Sequence, residues 1–132
     1  MKIDSHQHFW KYNLNEYGWI SNEMEILRKN YLPDQLLPEL LSKGFDGSIV
    51  VQARQCLEET QWLLDLAVEQ CAGKSKVYAA VAHASAAQEA QSMADELQKR
   101  LDLTEMYIVE FSPVIGTHTG PASLGIAWYT ED

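Results

Sequence analysis

The chain of 132 residues sets ten Lys and Arg against nineteen Asp and Glu, a net charge of −9, with 46% hydrophobic and 22% charged residues. That length buries one core and not two, and the composition is that of an ordinary globular domain. Scattered basic residues in an acidic chain argue against nucleic acid and anionic membrane, because phosphate binding needs clustered Lys and Arg.

The opening MKIDSHQHFW has no basic segment followed by an apolar run, so no signal peptide is expected. No stretch approaches the roughly 18 apolar residues of a membrane span. Lys2 to Ser5 reads as a short strand, followed by a polar and aromatic loop through Tyr31. LPDQLLPELLSKG places leucines at 36, 37, 40 and 41, the spacing of one helix face. Pro33 suits its entry and Gly44 its exit, with Pro38 early inside it. GSIVVQA (47–53) is a strand buried on both faces, and EETQWLLDLAVEQ a second amphipathic helix. Cys56 and Cys71 flank that helix, some 22 Å apart if helical, too far to bridge. They read as free thiols of a cytoplasmic protein that expresses in soluble form.

After the short connector CAGKSK (71–76), KVYAAVAHA is a third strand and SAAQEAQSMADELQKRL a third helix. Ser85 and Gln88 have capping-box spacing at its start. TEMYIVEF is a fourth strand, SPVIGTHTGP a turn and SLGIAWY a fifth strand. The expected fold is therefore a single α/β domain with a mostly parallel sheet of about five strands, β-α-β-α-β-α-β-β, and flanking helices. A last connection without a full helix makes the fifth strand an antiparallel edge.

In Asp4-Ser5-His6-Gln7-His8 the two histidines fall on one face of an extended segment, where both imidazoles can reach one metal. Asp4 shares that face and can orient a ring. Surface or packing histidines are commoner than ligands, and the spacing alone leaves both readings open. IDSHQHFW, the aromatic loop, LPDQLLPELLSKGFDGSIVVQA and LEETQWLLDLA together resemble the amino-terminal part of the amidohydrolase superfamily, in its lactone-hydrolase branch. The resemblance covers about residues 2–70. It implies a (β/α)₈ barrel with His6 and His8 as metal ligands at the end of strand one. The family's further histidines and its aspartate base lie on later strands, and no later segment here carries those motifs.

At the other end, Gly116, Gly120 and Gly125 permit tight turns and close backbone approach, and Thr117, His118 and Thr119 offer polar groups to a carboxylate or phosphate. A glycine-rich reversal into the last strand is the competing reading. VAHASAAQEAQSMADELQKRL with EMYIVEFSPVIGTHTGPASLGIAWY resembles the carboxy-terminal end of the DegV family of fatty-acid-binding proteins, over roughly residues 76–129. The resemblance implies that His118 lies near a lipid head group, in a loop flanking its carboxylate. It also implies an amino-terminal lipid domain, which has no counterpart in these residues. The chain departs from the family at Ala122, where a third glycine is usual.

Two resemblances that abut at 71–76 suggest an engineered or recombined chimera, segment 1–72 (βαβα) joined to segment 76–132 (βαββ), within one domain. The expected role is structural: a folded scaffold with no intact evolved activity and no enzyme function. The alternatives are a metal-dependent lactonase-type remnant and fatty-acid or carboxylate binding through GTHTGP. No cofactor is required; an adventitious divalent metal such as zinc would fall to His6 and His8. No defined substrate is expected, and a homodimer would hide the sheet face that a partial barrel leaves uncovered. His6, His8, His83 and His118 all fall at the carboxyl edge of the sheet. Strand order decides which of them meet, and His83 reads as a helix-entry residue before Ser85.

Overall fold

The apolar runs and leucine stripes become regular elements in the computed structural model, which describes residues 2–54 and 56–131. In chain order they are β1 (Ile3–Gln7), a 3-10 segment (Asn22–Leu27), α1 (Pro33–Ser42), β2 (Gly47–Val51) and α2 (Leu57–Cys71). Then come β3 (Lys76–His83), α3 (Ala87–Arg100), β4 (Glu105–Glu110), α4 (Pro113–Thr119) and β5 (Leu124–Glu131). The expected single α/β domain with five strands is observed, with sheet order β1-β2-β5-β3-β4.

β1 pairs β2 in parallel and β3 pairs β4 in parallel, while β5 runs antiparallel to both β2 and β3. β5 is therefore antiparallel as expected, but it is central and not an edge strand. The central place puts Leu124 and Ile126, 6% and 0% exposed, beneath α2 and α3 in the middle of the core, where both strand edges are also bonded. β5 pairs with β3 over eight residues, from Lys76↔Glu131 to His83↔Leu124, and with β2 at Val50↔Ile126 and Val51↔Gly125.

The connection into β5 also differs from expectation. SPVIGTHTGP contains the seven-residue helix α4, with Pro113 in its first turn and Gly120 ending it at φ 79°. Proline lacks the N–H that a first turn leaves unbonded, and glycine enters the left-handed region at little cost. The Ser85–Gln88 capping box is absent. Ser85 turns the chain at φ 53°, and the His83 ring caps the start of α3 by accepting the Ala86 N–H through Nδ1 at 3.3 Å. Gly44 does end α1 from the left-handed region, at φ 69°.

One face of the sheet carries the core. Leu63, Leu64 and Ala67 of α2 and Ala90, Met93, Ala94 and Leu97 of α3 pack on Val50, Ala79, Val81, Leu124 and Ile126, with Leu36 of α1 at the margin. The aromatic loop adds Phe9 to this cluster and buries Tyr17 and Ile20. A reciprocal pair of backbone hydrogen bonds, both 3.0 Å, between Trp10 and Tyr31 closes the loop. Cys56 and Cys71 are free thiols, as expected. No helix among the described residues is long and apolar enough to cross a membrane.

Candidate functional site

At the carboxyl ends of β1 and β2 the chain forms a cavity of about 260 Å³ lined by His6, His8, Gln52, Ala53, Arg54, His118, Thr119 and Ser123. Strand order creates it. Because β5 inserts beside β2, α4 and the residues leading into β5 arrive against the end of β1 and β2. Gln52 fastens the junction: its N–H donates to the Leu124 carbonyl at 3.2 Å, and its side-chain oxygen accepts the Leu124 N–H at 2.9 Å. A register shift between Asp4 and Gln7 marks an irregularity in β1 beside the two histidines.

His6 and His8 meet edge to face, with ring centroids 4.7 Å apart and their Nε2 atoms at 3.0 Å. The Val51 carbonyl can only accept, so His8 donates to it from Nδ1 at 2.9 Å. In the neutral ring that fixes the tautomer and turns the Nε2 lone pair toward His6. Burial, then the neighbouring His8 and His118, hold His6 below the usual imidazole range against the opposing pull of Asp4. Asp4 also accepts the His6 backbone N–H at 3.2 Å through Oδ1.

Of the other predicted residues, His118 and Thr119 line the cavity but Thr117 does not. The Thr117 hydroxyl is exposed and donates to the Val114 carbonyl at 2.7 Å within α4. His83 lies apart from the cavity, in the capping role described above. Three of the four histidines therefore gather around one cavity. Among the described residues, however, no three His, Cys, Asp or Glu stand close enough to share one metal ion.

Sequence reasoning missed Arg54 and Glu59. Arg54 lines the cavity, lies 5.2 Å from the Tyr17 ring centroid and pairs with Glu16 at 3.5 Å, while its buried Nε has no hydrogen-bond partner among the described residues. Glu59, 2% exposed, accepts the backbone N–H groups of Ala53 and Arg54 and so clamps the turn after β2. Burial pushes its carboxyl above the usual range, against the opposing effects of those hydrogen bonds, Arg54 and His8. The signal for Arg54 was its place in SIVVQAR just past a parallel strand, where ligands to open α/β sheets bind.

Comparison with known proteins gives two kinds of match. The sequence model described as "Uncharacterised protein, DegV family" matches residues 48–131. A DegV domain-containing protein of Halalkalibacterium halodurans is 38% identical over 88 residues, 65% of this chain and 31% of the relative. An L-fucono-1,5-lactonase of Burkholderia multivorans is 46% identical over 70 residues, 53% of this chain and 24% of the relative. The crystal structure of an amidohydrolase from the same organism, with bound zinc, superposes with a TM-score of 0.51 at 45% identity, over 54% of this chain and 25% of that one. Both resemblances legible in the sequence are thus found, and the chain spans about a quarter to a third of the relatives it matches. The DegV match begins at residue 48 rather than 76, so it crosses the connector 71–76 and takes in most of β2 and all of α2.

Proposed function

The chain belongs to the DegV family through residues 48–131, and from that premise we propose that it is a recombined α/β domain whose role is that of a folded scaffold without turnover. Its amidohydrolase-like and DegV-like segments exchange within β2 and α2, in the stretch up to the connector 71–76 where one βα unit serves either family. The carrying observation is the place of β5, which bonds β2 on one side and β3 on the other and so makes one sheet of both segments. What supports a reading without zinc-dependent turnover is the ligand count, since catalytic zinc sites use three protein ligands and an open position, and two imidazoles meet here. Thermal unfolding followed by circular dichroism and by tryptophan fluorescence should give one coincident transition. Two separate transitions, or zinc-dependent lactone hydrolysis abolished by His6→Ala, would refute the proposal.

The paired imidazoles favour a second reading, a divalent-metal site of the zinc class at His6 and His8. The donor set fits two corners of a tetrahedral ion: two nitrogens 3.0 Å apart, one ring already oriented by a backbone carbonyl. A bound ion would supply Lewis acidity at the cavity. The chain's own part is to hold His8 through Val51 and to bring the Arg54 guanidinium to the same cavity, where it can pair with a carboxylate. Zinc titration should show one ion per chain, weakened at least roughly tenfold in His8→Ala. Equal zinc uptake by His8→Ala would remove this reading and leave the scaffold untouched.

A further inference from the structure

We infer that the open face of the sheet seats a second copy of this chain, packed sheet on sheet about a two-fold axis. The inference holds whatever the origin of the two segments. The helices α1, α2 and α3 contribute to one core cluster on one side of the sheet, and side chains alternate along each strand. The opposite side therefore presents Tyr78 and Ala80 of β3, Tyr107 and Val109 of β4, and Ala127 and Tyr129 of β5, as the register fixes. Tyr107, Val109 and Tyr129 are 57%, 48% and 40% exposed, and together they form a contiguous apolar patch of the kind that marks an interaction surface.

Area supports a copy-sized partner. The chain exposes 8163 Å², against roughly 7,000 Å² for a compact monomer of 15.0 kDa. The excess over the whole chain, on the order of 1,000 Å², is large enough to include what one partner contributes to a stable interface, about 800 Å².

The shape of the face suits a second copy. Tyr78 and Tyr129 stack with centroids 4.5 Å apart and planes at 5°, forming a ridge across β3 and β5. Beside the ridge, the cross-strand pair Ala80 and Ala127 floors a trough of about 590 Å³ that Ile3, Ile49 and Tyr107 also line. A two-fold axis between ridge and trough seats each tyrosine pair over the other copy's alanines, as an isologous interface requires. Packed sheets stand about 10 Å apart with strands inclined near −30°, which aromatic side chains from both faces fill. At the rim Lys76 and Glu131 pair within one copy at 3.5 Å, and the Tyr107 hydroxyl donates to Glu105, so these charges enter the interface already partnered.

Sedimentation equilibrium of the purified chain from about 1 to about 100 μM should give a mass that rises to twice 15.0 kDa. Tyr107→Lys should return it to monomer with an unchanged circular dichroism spectrum. Leu57→Lys, at an 83% exposed residue of α2, should stay dimeric. Hydroxyl-radical footprinting of the unmodified chain decides the matter without a variant: Tyr107 and Tyr129 become protected as concentration rises. A monomer throughout, or a dimer whose tyrosines remain open to labelling, overturns the inference.

Discussion

The two segments of this molecule are not equally well packed, and the difference shows which contacts each has kept. In the second segment α3 buries Ala90, Met93, Ala94 and Leu97, and β3 holds β5 through an unbroken register of eight residues. In the first, α2 reaches the same core through Leu63, Leu64 and Ala67, but α1 buries no residue, Leu37 and Leu41 are 53% and 63% exposed, and the β1–β2 register slips after Asp4. The leucine stripe of α1 is as regular as the apolar stripe of α3. A stripe stabilises only when a surface shaped to receive it is present.

Leucine truncation should expose this asymmetry most strongly. Leu97→Ala, at a residue 1% exposed, should lower stability by about 2–5 kcal/mol. Leu41→Ala should stay within about 0.5 kcal/mol. Chemical denaturation measures both, and equal losses would erase the distinction between the segments.

Glu59 tests the joint between β2 and α2. Glu59→Ala strips two buried backbone N–H groups of their acceptor, a loss of about 2–3 kcal/mol. The pH dependence has a definite sign. Burial raises the folded carboxyl above its unfolded value of 4.5, so its contribution is complete below that value and declines as pH rises through the folded value. The destabilisation by Glu59→Ala should therefore be larger at pH 4 than at pH 7. A loss that grows toward neutral pH would mean that the carboxylate form is the favoured one.

How far the sequence made this legible depends on the range of the interaction involved. α1, α2 and α3 follow from stripes and β2, β3 and β4 from β-branched or apolar runs, because those signals are local. The central place of β5 depends on partners 41 to 76 residues away. Its unbroken Leu124-Gly125-Ile126 run did carry the signature of a strand buried on both faces. The helix α4 stayed hidden because Gly116 and three threonine or histidine positions are poor helix formers, and the bounding Pro113 and Gly120 outweigh them. His6 and His8 were legible as a pair from their spacing. The arrival of His118 beside them is a product of strand order, which no local pattern encodes.

Ala122 offers a smaller effect of opposite sign. It sits at φ 63°, the left-handed conformation that costs an L-residue roughly 1–2 kcal/mol and glycine almost none. The third glycine usual in the DegV motif at this position thus has a backbone reason. Ala122→Gly should stabilise the domain by about 1 kcal/mol, less the entropy that glycine adds to the unfolded chain. A rise of several degrees in the melting temperature would check it. A fall would mean that the Ala122 methyl makes contacts worth more than the strain.

The smallest effect is the most specific to the meeting of the two segments. Burial, His8 and His118 together hold His6 below its unfolded value of 6.5 while Asp4 opposes them. A depressed imidazole contributes stability that is present above 6.5 and lost as pH falls toward the folded value. Between pH 8 and 5 the unmodified protein should therefore lose stability relative to His6→Asn. His8 and His118 act from different segments, and their ranking predicts two further shifts. His8→Ala should move the His6 titration, followed by imidazole proton resonances, up toward 6.5, and His118→Ala should move it up by less. A His6 titration indifferent to His118 would mean that α4 does not stand against β1 in solution, and that the segments share a sheet but no site.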